Sequence, residues 1–273
     1  LPAVQGENND VRAADYSDTV VAELLRSAVE NRAIELFLQP IVRLPHRKTA
    51  FYEIYGRIRA RSGFYLPAER FMSLAARESL VPVIDNLLLL DCLEKLRQTH
   101  RQSAHMAPLF LNVTPDSLGD TKYMTDLLAF MERNHELARL LVFEFSQDDL
   151  VSAPPRNAAL LSALTRLGCR VSMDHVTRPG QLNIADLQSR AVSFVKIDAR
   201  RFSLLGGSPA GARRLARMKA RLDRAGIAMI VDKVETEDDL RGVLDFDLDY
   251  GQGYLFSRPE SYGTVQAQTG LSG

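Results

Sequence analysis

Apolar positions along the chain follow helical spacing in some stretches and strand spacing in others. Behind Ser17, five apolar residues recur at helical spacing and predict a helix over 17–31. Two apolar runs follow, over 34–42 and 51–59. The turn residues at 44–47 between these runs predict a pair of antiparallel strands.

From residue 68 onward, predicted helices alternate with predicted strands. The helices are predicted over 68–77, 82–98, 122–136, 158–167, 184–188, 210–225 and 237–244, and the strands over 109–113, 140–145, around Val171, and over 192–197, 227–231 and 248–256. With the opening pair this makes eight strands. Alternation of this kind requires parallel strands joined by crossover helices, and eight of them predict a closed α/β barrel of the (β/α)8 type. The distribution of polar and apolar residues predicts a linker over 1–16, the barrel domain over 17–260 and a C-terminal tail over 261–273.

Charge and cysteine content narrow the class of partner and the compartment. The 34 basic residues balance the 34 acidic ones, so we expect no DNA, RNA or membrane surface as a partner of this chain. The basic pairs Arg213-Arg214 and Lys219-Arg221 lie at helical spacing and predict a solvated helix face rather than a binding patch. Cys92 and Cys169 lie in apolar contexts, which predicts reduced core thiols and a cytoplasmic location.

Two further features concern the chain's relation to a membrane. The sequence contains neither a signal peptide nor a stretch of about 18 apolar residues able to span a bilayer. Because the chain begins at Leu1, we expect it to be a piece of a longer protein. Any membrane anchor or sensor would then lie outside it, and the piece would be the cytoplasmic domain of an anchored or polar protein.

Polar side chains stand near the carboxyl ends of the predicted strands. They are Glu53, Asn112, Glu144, Asp174, Lys196 with Asp198, Asp232 with Glu235, and Gln252. In a (β/α)8 barrel these ends converge on one face, where ligands bind. The first four carry the hard oxygen donors that Mg²⁺ and Mn²⁺ prefer. One such oxygen donor at a strand end would be read as a helix cap, but four in succession followed by a lysine indicate a ligand site.

A series of motifs resembles the EAL domain family. The motifs are QPI at 39–41, the Glu of YEIYGR, LNVTP, the Glu of VFEF, FVKID, VETEDDL and DYGQGYLFSRP at 249–259. They run in the family's order from about residue 20 to 260. The family comprises bacterial cyclic di-GMP phosphodiesterases and their inactive receptor relatives. The resemblance implies a modified (β/α)8 TIM barrel whose first strand is antiparallel to the others.

Active members of the family use two metal ions to activate water against a phosphodiester. The resemblance implies Glu53, Asn112, Glu144 and Asp174 as vestigial metal ligands, with Lys196 positioning the water. Where the family has a second Asp, this chain has His175. Since a neutral imidazole is a poor ligand for Mg²⁺, we expect no required cofactor and only weak residual Mg²⁺ or Mn²⁺ binding.

Other departures from the family pattern fall on the catalytic machinery. Tyr55 replaces the leucine of the EAL triplet, and Gln147 replaces a Glu thought to brace the loop at 177–180. The family's general base Glu is Asp232 here, followed by Lys233 in place of glycine. A base displaced by about 1 Å costs on the order of a hundredfold in rate. The sequence therefore predicts a degenerate domain without catalytic residues.

The ligand-binding parts match the family better. Phe256 corresponds to an aromatic residue that stacks on a guanine, and Arg57 to an arginine that meets a phosphate. The residues that the resemblance implies for ligand binding are Gln39, Glu53, Tyr55, Arg57, Asn112, Glu144, Asp174, Lys196, Asp232, Glu235, Gln252, Phe256 and Pro259.

Three functions remain open at this stage. The first is a cyclic di-GMP receptor that regulates an unidentified protein partner, most similar to receptors of polar flagellum or pilus assembly. The second is a slow metal-dependent phosphodiesterase that yields pGpG. The third is an interaction scaffold without nucleotide. The sequence leaves dimerisation open.

Overall fold

The fold is described from a computed structural model over residues 16–60, 64–102, 107–152 and 155–268. The chain divides into two compact units. One contains the described residues within Leu1–Leu38, Ile54–His105 and Pro259–Gly273, and the other those within Gln39–Glu53 and Met106–Arg258. The predicted linker at 1–16 lies outside the described residues apart from Tyr16.

Ten strands are formed by the described residues. They are β1 (Ile34–Arg43), β2 (Lys48–Arg59), β3 (Tyr65–Leu66), β4 (Leu109–Asn112), β5 (Leu141–Ser146), β6 (Arg170–Asp174), β7 (Val192–Asp198), β8 (Ala228–Asp232), β9 (Tyr250–Gln252) and β10 (Glu260–Ser261). Strands β2 and β4 to β9 pair with each other in parallel, β1 pairs antiparallel with β9, and a β1–β2 pairing closes the ring. The predicted barrel of eight strands with an antiparallel first strand is confirmed.

The described residues also form thirteen α-helices. They are α1 (Asp18–Glu30), α2 (Ala68–Arg77), α3 (Val81–Gln102), α4 (Pro115–Gly119), α5 (Thr121–Arg133), α6 (His135–Ala138), α7 (Gln147–Ser152), α8 (Pro155–Arg166), α9 (Ile184–Ser189), α10 (Ala199–Gly206), α11 (Pro209–Arg224), α12 (Glu237–Leu244) and α13 (Tyr262–Gln268). A 3-10 turn covers Pro179–Gln181. No helix of the described residues has the combined length and apolarity needed to cross a bilayer.

Each unit has its own apolar core. In the unit that carries most of the barrel strands, the rings of Phe51, Phe110, Phe194 and Tyr250 pack in edge-to-face and tilted pairs, with centroids 5.1–6.3 Å apart. In the other unit the buried faces of α1 and α2 pack around Leu25 and Phe71. Cys92 and Cys169 are buried free thiols, as predicted.

Two predicted elements are shorter than expected. The strand predicted over 248–256 is limited to Tyr250–Gln252. It ends because Gly253 has φ 146° and passes so close to Val234 that a Cβ would lie 2.2 Å from the carbonyl oxygen of Val234. The helix predicted over 122–136 breaks at Asn134, whose side-chain amide donates to the carbonyl of Phe130.

Several short elements were not predicted from the hydrophobic pattern. They include α4, α7, α10 and the strands β3 and β10. The C-terminal stretch predicted as a tail contains α13, in which Tyr262 shares a hydrogen bond with Thr99 at 2.6 Å. Lys219 is not on a solvated face. It is 6% exposed, and its Nζ lies 2.6 Å from Asp223 and 3.3 Å from Asp249.

Candidate functional site

A buried ammonium group lies at the centre of the polar cluster inside the barrel. Lys196 on β7 is 1% exposed, and its Nζ lies 2.6 Å from Oε2 of Glu53 and 2.8 Å from Oε1 of Glu144. Both carboxylates are themselves buried, on β2 and β5. A buried charge of this kind persists only when partners of opposite charge satisfy it. Strands β2, β5 and β7 are therefore tied together by one ion-pair cluster.

Amide side chains complete the coordination of Glu53. Gln252 donates to Oε2 at 2.7 Å, and Asn112 donates to Oε1 at 3.0 Å. The side-chain nitrogen of Gln252 also donates to the side-chain oxygen of Gln39 at 3.2 Å, and the side-chain nitrogen of Gln39 donates to the carbonyl of Ser257 at 3.0 Å. Gln39 and Gln252 are both buried, so in this structure they support Glu53 from within the barrel. Glu53 itself lies inside β2 rather than at its end.

The charges of the cluster shift the ionisation of its members. Burial raises the pKa of Glu144 well above its ordinary value, and repulsion from Glu53 and Asp174 adds to the shift, against the attraction of Lys196. Burial disfavours the charged form of Lys196, but Glu144 and Glu53 outweigh it, so the pKa of Lys196 is well above its ordinary value. The attraction of both carboxylates thus keeps Lys196 an ammonium, while burial and the neighbouring acids oppose the negative charge of Glu144.

The Asp-His pair at the end of β6 is joined by a hydrogen bond, which becomes an ion pair when His175 is protonated. Nδ1 of His175 lies 2.8 Å from Oδ2 of Asp174, whose side chain is only 13% exposed. His175 is in the left-handed region at φ 53°, and its ring is largely exposed. The hydrogen bond to Asp174 raises the pKa of His175 above its ordinary value. Burial works against the charge of Asp174, but this hydrogen bond and Lys196 keep its pKa below the ordinary value.

The loop after β6 is held from two sides. Oε1 of Gln147 accepts from the backbone N–H of Thr177 at 3.0 Å and lies 3.3 Å from its hydroxyl. Arg201 donates to the carbonyl of Thr177 at 2.9 Å. Gln147 therefore contacts this loop although it is not the Glu of the family pattern.

The end of β8 brings a second acid and a second cation to the site. Burial raises the pKa of Asp232 to about 6, despite the attraction of Lys196. The backbone N–H of Lys233 donates to Asp232 at 2.7 Å, and Lys233 has φ 57°. Nζ of Lys233 lies 3.3 Å from Asp198, the residue that also caps α10. Glu235 is half exposed and pairs with Arg200 at 2.9 Å.

Phe256 lies in the turn that follows β9. Its half-buried ring packs over Gly251, where a Cβ would lie 3.0 Å from the ring. The guanidinium of Arg47 is 5.9 Å from the ring centroid and pairs with Glu237 at 2.7 Å. The ring therefore contacts Gly251 and lies near Arg47, while part of it stays exposed to solvent.

Comparison with known proteins places these residues in a family. The sequence profile of the EAL domain matches residues 22–259 of the 273. The chain belongs to the EAL domain family. Cyclic di-GMP phosphodiesterase NbdA of Pseudomonas aeruginosa is 26% identical to it over 240 residues, and RocR of the same species, also a cyclic di-GMP phosphodiesterase, is 24% identical over 242 residues. These matches cover 87% and 88% of this chain but 30% and 60% of the relatives, so the chain spans only part of their length.

Solved EAL structures share the fold. The FimX EAL domain of Pseudomonas aeruginosa, bound to c-di-GMP, superposes with a TM-score of 0.72 at 24% identity, covering 88% of this chain and 96% of that one. The PaMucR phosphodiesterase in its c-di-GMP complex gives a TM-score of 0.76 at 19% identity, covering 90% and 99%.

Three predicted site residues of this EAL domain belong to the other compact unit. Tyr55 and Arg57 are half-buried on β2, and the guanidinium of Arg57 lies 5.7 Å from the ring centroid of Tyr55. Pro259 directly precedes β10. The remaining ten, from Gln39 to Phe256, lie in the unit that holds the cluster around Lys196.

The donor set does not fit a centre of two metal ions. Both oxygens of Glu53 already accept hydrogen bonds, and Oδ2 of Asp174 pairs with His175. Only Oε2 of Glu144 is a buried carboxylate oxygen without a hydrogen-bond partner within the described part of the chain. Among the described residues, no group of three or more His, Cys, Asp or Glu side chains is arranged to hold a metal ion.

Some contacts of the site could not be read from the sequence. The pairs Lys233–Asp198 and Arg200–Glu235 and the bond from Arg201 to Thr177 join residues that neither motif nor periodicity relates. The sequence places Asp198 with Lys196 near the carboxyl end of a strand. Its side chain accepts from the N–H groups of Arg200 and Arg201, the ordinary role of an acid that begins a helix.

Proposed function

We propose that this EAL domain is a cyclic di-GMP receptor that binds the dinucleotide at the mouth of the barrel without hydrolysing it, in the bacterial cytoplasm. The observation that carries the proposal is the hydrogen-bonded Asp174–His175 pair. It puts an imidazole where the family pattern has a second carboxylate. A two-metal site needs oxygen ligands that neutralise and bridge the cations, and an imidazole supplies no negative charge and is a poor ligand for Mg²⁺.

The general-base position supports the same proposal. Asp232 is one methylene shorter than the Glu of the family pattern and is held by the backbone N–H of Lys233. Activation of water depends on placing the base within hydrogen-bond reach of its proton. The side chain of Asp232 is shorter than that of a glutamate and is hydrogen-bonded to Lys233, so it reaches less far towards an attacking water.

Support for binding comes from groups that do not depend on a metal. Phe256 offers a ring for stacking on a base, worth roughly 1–3 kcal/mol. The exposed side chains of His175 and Lys233 bring N–H donors to the ends of β6 and β8, which suits the phosphates of a cyclic dinucleotide. The FimX and PaMucR structures contain c-di-GMP on the same fold. We propose that occupancy is read by a protein partner, in a process such as polar flagellum or pilus assembly.

A slow phosphodiesterase is the second candidate. The pKa of Asp232, about 6, suits a general base near neutral pH, and the carboxylates of Glu53, Glu144 and Asp174 are retained. The relatives NbdA and RocR are named as cyclic di-GMP phosphodiesterases.

Calorimetry and product analysis separate the candidates. The receptor requires cyclic di-GMP binding at micromolar concentration or tighter in the presence of a chelator, and no pGpG after overnight incubation with Mn²⁺ or Mg²⁺. Formation of pGpG that His175→Asp with Asp232→Glu accelerates would favour the slow enzyme. Absence of both heat and thermal shift would leave only a scaffold without nucleotide.

A further inference from the structure

Helix α11 carries five arginines on one face. They are Arg213, Arg214, Arg217, Arg221 and Arg224, here called the arginine stripe. At 100° per residue the five positions fall within an arc of about 100°, and at 1.5 Å per residue they extend over about 16 Å. All five are exposed, while Leu215, Met218 and Leu222 on the opposite face are buried. The stripe therefore faces away from the core along most of the helix.

The arginine stripe is not neutralised by the protein. None of its guanidinium groups forms an ion pair with an acidic side chain in the part of the chain that the structure describes. The nearest acid on the helix, Asp223, is bonded to the buried Lys219 instead. The chain has zero net charge, but this helix face carries five positive charges. Like charges this close repel each other and lower the stability of the folded protein unless an anion binds to them.

An exposed apolar side chain lies close by in the chain. Leu204 on α10 is 83% exposed, the highest value among the large apolar side chains of the described residues. Helix α10 runs into α11 through a short connection, and the two helices pack together. Their junction is tight, because a Cβ at Gly211 would lie 1.9 Å from the carbonyl oxygen of Leu205.

We propose that the arginine stripe, with Leu204, is a docking surface for anionic lipid headgroups, so that this domain binds peripherally to a negatively charged membrane. Clustered Arg on a surface helix is attracted to anionic lipid, and an exposed apolar side chain on the preceding helix, such as Leu204, adds an apolar group that can insert at the interface. The sequence-based expectation of no membrane contact rested on the net charge, which averages over the whole chain.

Other anionic partners fit the stripe less well. Between the arginines the helix face presents only small residues such as Ala216 and Ala220, so it lacks the apolar centre that a protein interface needs. It also lacks the aromatic side chains on which single-stranded nucleic acid stacks. A lipid surface requires neither.

Vesicle sedimentation of the 273-residue chain tests the proposal. Wild type is expected to sediment with phosphatidylcholine vesicles that contain about 30% phosphatidylserine, to stay in solution with pure phosphatidylcholine, and to be released by salt. The triple variant R213Q/R217Q/R221Q should bind these vesicles more weakly by on the order of a hundredfold. Leu204→Ser should weaken binding several-fold.

The matched control is R97Q/R133Q/R166Q, which removes the same charge from exposed positions on three different helices. It should bind like wild type, and unchanged circular dichroism should show that both triple variants are folded. Equal binding to both vesicle types, or equal loss in the two triple variants, would overturn the proposal. So would tighter binding of poly-glutamate or duplex DNA than of the phosphatidylserine vesicles.

Discussion

The imidazole of His175 holds Asp174, with Nδ1 2.8 Å from Oδ2. The pKa of His175 is raised, so its contribution to stability is fully present below the ordinary imidazole pKa and is lost as the pH rises through the raised value. The pKa of Asp174 is lowered, so its contribution is present above the ordinary value and is lost as the pH falls through the lowered one. The pair therefore stabilises the protein most in mildly acidic solution.

Replacing His175 by aspartate should convert this pair into a metal site. In His175→Asp a second carboxylate stands beside Asp174, so without a cation the like charges should lower the melting temperature at neutral pH. Mn²⁺ should restore it, and calorimetry should give at least tenfold tighter Mn²⁺ binding than wild type. The control is His135→Asp, the same change at a side chain that is 80% exposed on α6. Equal Mn²⁺ affinity in both variants would contradict the assignment.

Asp232 should make the protein less stable as the pH rises. Its pKa is about 6 in the folded state against an ordinary 3.8, so the folded state binds the proton more tightly. Stability is then lost between these two values, and the full cost, about 3 kcal/mol, is present above about pH 6. Urea unfolding should show Asp232→Asn more stable than wild type at neutral pH and equal to it near pH 4. A constant difference across this range would exclude the role of ionisation.

The fold could be predicted because its signals are local and repeated. Each crossover helix and barrel strand has its own hydrophobic period, and the antiparallel start followed from the short turn at 44–47. The strand ending at Asp174 and the loop after it were also readable, since Pro179 and Gly180 mark a turn. The extent of the last strand was not, because it depends on Val234, which approaches Gly253 from a distant part of the chain.

The arrangement inside the site was only partly predictable. The sequence identified Glu53, Glu144 and Lys196 as strand residues facing one site, and the structure joins them. It could not show that the ammonium lies between both carboxylates, because that depends on the register of strands far apart in the chain. Nor could it show that Gln147, read as a lost brace, still accepts two contacts from Thr177.

The bond between Gln147 and Thr177 should order the loop after β6. Gln147→Ala removes the acceptor and should cost about 1 kcal/mol, with faster hydrogen exchange at the amide of Thr177. Gln147→Glu is the matched variant, since Oε1 is the only side-chain atom that makes these contacts and a carboxylate supplies the same acceptor. Protection that survives in Gln147→Glu but not in Gln147→Ala would support the brace, and equal protection in both would refute it.

Lys196 should be essential for stability through its charge. Lys196→Met leaves Glu53 and Glu144 buried without their cation and should cost about 3–5 kcal/mol at neutral pH. Adding Glu144→Gln removes one of the two carboxylates and should recover part of the loss. If the double variant is as unstable as the single one in urea unfolding, the lost packing of the lysine chain accounts for the effect.

The ring of Phe256 should contribute to nucleotide affinity rather than to folding. It is half-buried over Gly251, and the guanidinium of Arg47, 5.9 Å from its centroid, is held independently by Glu237. Phe256→Ala should therefore weaken cyclic di-GMP binding at least several-fold, since stacking on a base is worth roughly 1–3 kcal/mol. Phe256→Tyr keeps the ring and should bind like wild type in calorimetry. Because a general loss of structure would lower the melting temperature of the free protein, reduced affinity with an unchanged melting temperature would assign the effect to stacking. Full affinity in Phe256→Ala would place the base elsewhere.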